Sequence, residues 1–317
     1  MCSDCMSGCT RQHGIQTGEN FMRALIVGLA LSTFAASAFA AGETCSAQAA
    51  EKKLAGAAKN SFVKKCEKDM KASGPGAASA ALPMLIDGTL HAREWIAAMA
   101  TTCVADRLVD GYDRDPQIRA FLDRTRLWVV PVANPDGYQH AWSTDRFWRK
   151  NRRARHGVDL NRNFAVAFGG PGASGRERSE TYRGAYAFSE PETAALRDLA
   201  RREAIALHVD FHAYGQLVLY PWTHTGTPAP DRDRLAAIGD RLASALAAAH
   251  GVRYRLMAGV ELYAASGTMT DWMYGAVGAA SYTIELRPAG PGGARGFVLP
   301  PEQIRPTCDE ALGAVLA

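Results

Sequence analysis

Apolar residues follow two kinds of pattern from Leu82 to the end of the chain. Short continuous runs, typical of buried strands, alternate with longer stretches in which apolar residues recur at helical spacing. The runs predict strands at 82–86, 127–132, 205–211, 217–220 and 281–286, and the periodic stretches predict helices near 94–109, 116–123, 190–203, 231–250, 270–276 and 302–315. Apolar strands that alternate with helices predict an α/β domain whose sheet is covered on both faces.

Two of the predicted helices carry signals at their ends. Ser189 stands three residues before Glu192, which predicts a capping box in which the Ser189 hydroxyl accepts from the backbone N–H of Glu192. Gly251 directly follows the stretch 231–250, so that helix is expected to end there.

The part of the chain before Leu82 has a different composition. Residues 22–40 combine a positive charge, an apolar stretch and a small-residue pattern at 38–40, which predicts a signal peptide that begins at Met22. A tail followed by a membrane anchor is the alternative, although the stretch is short and weakly apolar for a span. The expected organisation is a leader and signal peptide at 1–40, a helical segment at 41–72, a linker at 73–81 and the main domain at 82–317.

Composition and charge exclude some classes of function. The 317 residues are 47% hydrophobic, enough for one large core, and the net charge of +4 is only mildly basic. No run of Lys and Arg alternates with aromatic residues, so no nucleic-acid partner is expected.

In an exported protein the cysteines that follow the signal peptide can pair as Cys45–Cys66 and Cys103–Cys308, one of three connectivities. Free buried thiols are the alternative for the second pair.

The first candidate for chemistry follows the predicted strand 82–86. His91 and Glu94 stand three residues apart in one turn, and neutral imidazole with carboxylate is a normal donor pair for zinc. This pattern is weak by itself, because many surface helices carry it. A catalytic zinc also needs a third protein ligand and an open position for water.

Two histidines of a later strand are candidates for that third ligand. Strand alternation places His208, Asp210 and His212 on one face. Only His212 lies past the apolar run, where the chain is expected to turn. We therefore predict His212 as the ligand and His208 as a packed or hydrogen-bonded core histidine.

Seven blocks of sequence resemble the zinc carboxypeptidases of the carboxypeptidase A/B type, in that family's order and at similar separations. They are HAREW, NPDGY, FWRKNRR, GVDLNRNF, FHAYGQLVLYPW, LYAASGTMTDW and YTIELRPAG, which begin at residues 91, 134, 147, 157, 211, 262 and 282. The resemblance implies a mixed, mostly parallel sheet with helices on both faces. The family's usual N-terminal strands are expected to be missing, which would expose a sheet edge to aggregation or partner pairing.

The resemblance also implies a metal site that binds one Zn²⁺ per chain through His91, Glu94 and His212. Asp159 corresponds to the carboxylate that orients the first imidazole, and a turn-capping Asp is the alternative. Glu285 aligns with the general base, and an acid is out of place for packing at the end of an apolar strand. The alternative for Glu285 is an ion pair with Arg287. Arg149 matches the arginine that stabilises the oxyanion.

Further positions imply how the substrate is held. Asn161 and Arg162 occupy the family's carboxylate-binding positions, and a planar guanidinium suits that group. Tyr263 corresponds to a mobile tyrosine that closes over the bound terminus, and Arg93 is expected to line the next subsite outward. Thr270 stands where the family separates basic from apolar preference, and since it is no acid we expect apolar, aromatic or mixed preference. The expected pocket neighbours are Leu219, Leu262, Ala265 and Thr283.

The sequence therefore predicts an exported zinc metallocarboxypeptidase, secreted or periplasmic, that acts on peptide or protein C-termini. It is expected to be a monomer with no stable membrane span after signal cleavage. A zinc amidase acting on cell-wall peptides and a catalytically impaired relic are the alternatives. Within the segment 41–72, the stretch KKLAGAAKNSFVKKC resembles the short exported repeat of PsiF-type proteins and implies little about activity.

Overall fold

A computed structural model describes residues 81–290 and 292–317, together with four helical residues at 59, 60, 63 and 64. The chain divides into two units, Met1–Ala78 and Ser79–Ala317. The predicted signal peptide, the predicted Cys45–Cys66 pair and nearly all of the predicted linker lie outside the described residues. None of the helices in the described part of the chain is long and apolar enough to cross a membrane.

Six strands of the second unit form one sheet in the order β2-β1-β3-β6-β4-β5. In chain order they are β1 (Leu82–Gly88), β2 (Thr125–Val130), β3 (Leu207–Gly215), β4 (Leu217–Tyr220), β5 (Arg255–Ala258) and β6 (Ala280–Ala289). Neighbouring strands run parallel except β4 with β6, which are antiparallel. The predicted mixed, mostly parallel sheet is confirmed.

The α-helices of this unit cover both faces of the sheet. They are α1 (Trp95–Gly111), α2 (Pro116–Leu122), α3 (Pro135–Ser143), α4 (Pro191–Arg202), α5 (Arg232–His250), α6 (Gly259–Leu262), α7 (Met269–Trp272) and α8 (Ile304–Leu316). Strand alternation sends Ile86 to the core beneath α1, α2, α5 and α8, and sends its neighbour Leu85 to the core beneath α4 and α7.

Several predicted boundaries differ from the structure. The strand predicted at 205–211 continues to Gly215, and the one predicted at 281–286 continues to Ala289. Three short elements, α3, β5 and α6, were not predicted. α3 begins in the NPDGY block, where Asn134 Oδ1 accepts from the backbone N–H of Gly137 at 3.0 Å and Pro135 occupies the first turn.

The predicted capping box at Ser189 is wrong, whereas the predicted helix end at Gly251 is confirmed. α4 begins at Pro191, because proline favours the first helical position, and Glu190 becomes the N-cap. The Ser189 hydroxyl instead donates to Glu190 Oε1 at 2.7 Å and accepts from Asn163 Nδ2 at 2.9 Å. Gly251 adopts a left-handed φ of 72° after α5.

A disulfide joins Cys103 of α1 to Cys308 of α8. The predicted pairing is therefore confirmed, and the alternative of free thiols does not apply to these two residues. The bond links positions 205 residues apart in sequence. It ties the C-terminal helix to the first helix of the unit, on the face of the sheet that these helices cover.

Candidate metal centre and active site

Three donor side chains meet beside the carboxyl ends of β1 and β3. His91 and Glu94 belong to the turn between β1 and α1, and His212 lies inside β3, which runs three residues beyond it. Their donor atoms lie within 4.8 Å of one another, and all three residues are buried. Glu94 Oε1 is 2.8 Å from His91 Nδ1, and Glu94 Oε2 is 2.8 Å from His212 Nδ1. The residues predicted as zinc ligands therefore lie together.

The other ring nitrogen of each histidine lies beside a carboxylate. His91 Nε2 is 3.2 Å from Asp159 Oδ1, and His212 Nε2 is 2.7 Å from Asp210 Oδ2. The first contact agrees with the predicted position of Asp159. The second was missed, although strand alternation had already placed Asp210 on the same face as His212.

The Asp159 carboxylate contacts three neighbours, which are His91, Arg149 and the backbone of Asn161. Its Oδ2 accepts from Arg149 Nε at 3.1 Å and from Arg149 Nη2 at 2.9 Å. Its Oδ1 also accepts from the backbone N–H of Asn161 at 3.1 Å. Asp159 therefore caps a turn as well as contacting His91, so the two readings of this residue are compatible. Arg149 is held rigidly next to the donor cluster.

The pKa values of His91 and His212 are shifted in opposite directions. Burial and the nearby Arg149 lower the pKa of His91, so its imidazole is neutral and suited to bind a metal. Burial alone would lower the pKa of His212, but Asp210 and Glu94 raise it well above the usual value. Burial alone would raise the pKa of Glu94, but the two histidines lower it below the usual range. Glu94 is therefore a carboxylate.

Glu285 lies on β6 directly opposite His212 in the parallel register between β3 and β6. The alternative ion pair with Arg287 is not formed, because the Arg287 guanidinium pairs with Glu310 instead. In the part of the chain that the structure describes, Glu285 makes no ion pair. Burial raises the pKa of Glu285 to about 8 in the metal-free protein. A divalent cation beside it would favour the carboxylate.

His208 is a core histidine, as predicted. It is fully buried, with Nε2 2.8 Å from Asp87 Oδ1 and Nδ1 2.7 Å from Ser281 Oγ. Both ring nitrogens are therefore engaged away from the donor cluster.

The residues predicted to hold a terminal carboxylate border the cluster. Asn161 Oδ1 accepts from the backbone N–H of Met269 at 2.9 Å. Arg162 donates from Nε to the carbonyl of Gly172 at 3.0 Å and from Nη1 to that of Asn161 at 2.6 Å, which fixes the guanidinium plane. The ring of Tyr263 lies 5.9 Å from that guanidinium, and half of Tyr263 is exposed.

Arg93 lies apart from the donor cluster. Its guanidinium is 4.5 Å from the centroid of the Phe297 ring, and Nη1 is 3.5 Å from a carboxylate oxygen of Glu180. These contacts place Arg93 at a rim rather than among the metal donors.

Thr270 and Thr283 form the polar part of the predicted side-chain pocket. Their hydroxyls are 2.5 Å apart, and Thr283 pairs in register with Leu219 of β4. Ala265 is buried, whereas Leu262 is exposed and lines a separate cleft of about 540 Å³. No acidic side chain bonds to Thr270 in the described residues.

The donor set fits zinc. Two imidazole Nδ1 atoms and one carboxylate converge, and each imidazole has a carboxylate at its other nitrogen, an arrangement typical of zinc sites. Three protein ligands would leave a position for water or substrate, as catalytic zinc sites do.

Comparisons with known proteins show the family to which this chain belongs. A family model described as zinc carboxypeptidase matches residues 68–314. The chain is 39% identical to carboxypeptidase O of Bos taurus over 240 residues, which covers 73% of this chain and 63% of that protein. It is 37% identical to carboxypeptidase A1 of Mus musculus over 238 residues, which covers 73% of this chain and 56% of that protein.

A solved carboxypeptidase structure also resembles this chain in fold. The crystal structure of the carboxypeptidase A from Helicoverpa armigera matches with a TM-score of 0.67 and 32% identity, covering 74% of this chain and 59% of that one. The chain belongs to the zinc carboxypeptidase family. It spans 63% and 56% of the length of the two curated relatives named above.

Proposed function

We propose that this chain is an exported zinc metallocarboxypeptidase that hydrolyses the C-terminal peptide bond of peptides or proteins. The observation that carries the proposal is the meeting of His91, Glu94 and His212 within 4.8 Å, with Glu285 opposite His212 in register. His91, Glu94 and His212 hold one zinc ion. When bound, zinc supplies Lewis-acid chemistry, which polarises a carbonyl and makes water more acidic.

Glu285 acts as the general base of the proposed reaction. Its carboxylate takes a proton from the attacking water and later delivers it to the departing amine nitrogen. Arg149 stabilises the negative charge that develops on the carbonyl oxygen of the scissile bond. Asp159 supports that role because it already fixes Nε and Nη2 of the Arg149 guanidinium, which leaves Nη1 for the oxyanion.

Asn161 and Arg162 bind the free carboxylate of the substrate, and Tyr263 closes over it. The contacts of Arg162 with backbone carbonyls support this role, because they hold the guanidinium ready for a planar anion. Arg93 contacts the substrate residue on the other side of the scissile bond. These roles make the enzyme an exopeptidase that requires a free C-terminus.

The C-terminal side chain enters a pocket next to Thr270. Two uncharged hydroxyls cannot neutralise a buried ammonium or guanidinium group, and an unpaired buried charge is costly. The enzyme therefore prefers apolar or aromatic residues, or accepts a mixture, and disfavours Lys and Arg.

The proposed organisation keeps residues 1–40 as leader and signal peptide, with Met22 as the true start. Residues 41–72 are a small helical segment, 73–81 a linker and 82–317 the catalytic domain. The confirmed disulfide between Cys103 and Cys308 supports export, because disulfides persist in oxidising compartments. The working form is a secreted or periplasmic monomer.

The test uses the purified chain and a blocked dipeptide that ends in Phe. Release of Phe should stop when a chelator removes the metal and return when zinc is added. The same dipeptide with an amidated C-terminus is the matched control and should not be cleaved. Absence of zinc binding, or cleavage that survives chelation, would contradict the proposal.

A further inference from the structure

The two candidate histidine ligands are oriented in the same way. Each directs Nδ1 to Glu94 and places Nε2 beside a second carboxylate, Asp159 for His91 and Asp210 for His212. A neutral imidazole that binds a metal through Nδ1 carries its proton on Nε2, so each Nε2 must donate. Asp159 and Asp210 are therefore placed to accept a hydrogen bond from the Nε2–H group of His91 and of His212, respectively.

A second neighbour of His212 strengthens this assignment. Asn161 Nδ2 is 3.4 Å from His212 Nε2, but its side-chain oxygen already accepts from the backbone N–H of Met269. The amide therefore presents N–H groups, which cannot accept from an Nε2–H group. Among the described residues that contact Nε2 of His212, Asp210 is the one able to accept.

Asp210 is buried although its carboxylate is only partly hydrogen-bonded. Its side chain is fully buried, and Oδ1 has no hydrogen-bond partner in the described part of the chain. Asp159, by comparison, is neutralised by two hydrogen bonds from Arg149. A buried carboxylate is costly unless it is hydrogen-bonded, and among the described residues the partner of Asp210 is Nε2 of His212, at 2.7 Å.

We infer that Asp210 is a positioning residue for the metal centre, which fixes the ring of His212 and keeps Nδ1 available to zinc. This inference rests on the proposed zinc site and adds a second carboxylate-histidine pair to the one formed by Asp159 and His91. Through the hydrogen bond to Nε2, the carboxylate makes Nδ1 a stronger donor. Asp210 is not one of the three donor residues and acts through the ring of His212.

A matched control lies on the neighbouring strand. Asp87 pairs in register with Asp210, is equally buried, and also contacts a histidine, His208, at 2.8 Å. Like Asp210, it keeps one carboxylate oxygen without a partner in the described residues. The difference is that His208 is not part of the donor cluster. Changes at Asp87 therefore report general loss of stability, and changes at Asp210 report loss of stability plus any effect on the metal.

The experiment measures zinc affinity by competition with a chromogenic chelator, without reference to activity. Asp210→Ala should weaken zinc binding by about 10–100-fold. Asp210→Asn should weaken it less, because the amide oxygen still accepts from Nε2 although the charge is gone. Asp87→Asn should lower Tm and leave zinc affinity unchanged.

The visible absorption spectrum of the cobalt-substituted protein gives a second readout. A change in stability alone does not alter this spectrum. The visible absorption bands of the Co²⁺ form should shift in Asp210→Asn and stay in place in Asp87→Asn. Should Asp210→Ala fail to fold, Asp210→Asn carries the test, since it preserves the side-chain shape.

The outcomes separate this inference from the proposed function. A wild-type chain that binds no zinc would overturn both. Tight zinc binding by wild type together with equal affinity and unchanged cobalt bands in the Asp210 variants would overturn only the inference. Equal weakening by Asp87→Asn and Asp210→Asn would also overturn it, because the effect would then be one of general stability.

Discussion

The metal centre and the helical layer on one face of the sheet bury different kinds of side chain. The centre buries ionisable side chains such as Glu94, Asp159 and Asp210. The layer formed by α1, α5 and α8 buries apolar side chains such as Val104 and Leu246, and adds a disulfide. Buried charges cost stability, whereas buried apolar surface provides it. Substitutions in the two regions should therefore have separable effects on chemistry and on folding.

The largest expected effect is on chemistry, at Glu285. Glu285→Gln removes the proton acceptor and should lower kcat by about 10²–10⁴-fold. Zinc content and Tm should stay at wild-type values, because the Glu285 side chain makes no ion pair among the described residues. Steady-state kinetics with metal analysis and thermal melts check this. Exposed Glu302 provides the control, since Glu302→Gln should change nothing. Near-normal turnover of Glu285→Gln would remove the proposed base.

The next effect is on folding, at the disulfide. Replacing Cys103 and Cys308 together by Ser should lower the free energy of unfolding by about 2–5 kcal/mol, since the bond restricts a long loop of the unfolded chain. Denaturant melts measure the loss, and kcat/KM at 25 °C should be unchanged. A large loss of activity in the folded double variant would show that the helical layer and the metal centre are not separable.

The smallest expected effect concerns side-chain preference. Thr270→Asp places a carboxylate where a basic substrate side chain would enter, and should raise the ratio of Lys to Phe release by about tenfold or more. Thr270→Val is the matched control and should not favour Lys. Competition between blocked dipeptides ending in Phe, Leu, Lys and Arg gives the ratio. An unchanged ratio in Thr270→Asp would place the pocket elsewhere.

The helical layer and the metal centre also differ in how far the sequence predicts them. Long apolar runs and periodic stretches are local signals of burial, so the main strands and helices were predicted with small errors at their ends. β5 was missed because it has four residues and pairs on one side only, and Met257 is the one residue of this strand that is buried. The start of α4 was misplaced because Pro191 overrides the capping signal of Ser189.

The candidate metal centre was predictable where a residue type and a strand position pointed the same way, as for His91, Glu94 and His212. The resemblance to a family supplied Asp159, Arg149 and the substrate-binding residues. The partner of His212 was not predicted, because an acid two residues away in a strand becomes a neighbour only when both side chains adopt particular rotamers. The shared position of Asp159 between His91 and Arg149 likewise depends on three segments meeting in space.

The most direct test of the central claim is the coordination of zinc in the purified protein. X-ray absorption and metal analysis should give one zinc per chain, with two imidazole nitrogens at about 2.0–2.1 Å and carboxylate oxygen completing the protein ligands. His91→Ala and His212→Ala should each lose the ion, while His208→Gln, changed at the other histidine of the same strand, should keep it. Stoichiometric zinc in both His91→Ala and His212→Ala would contradict the account.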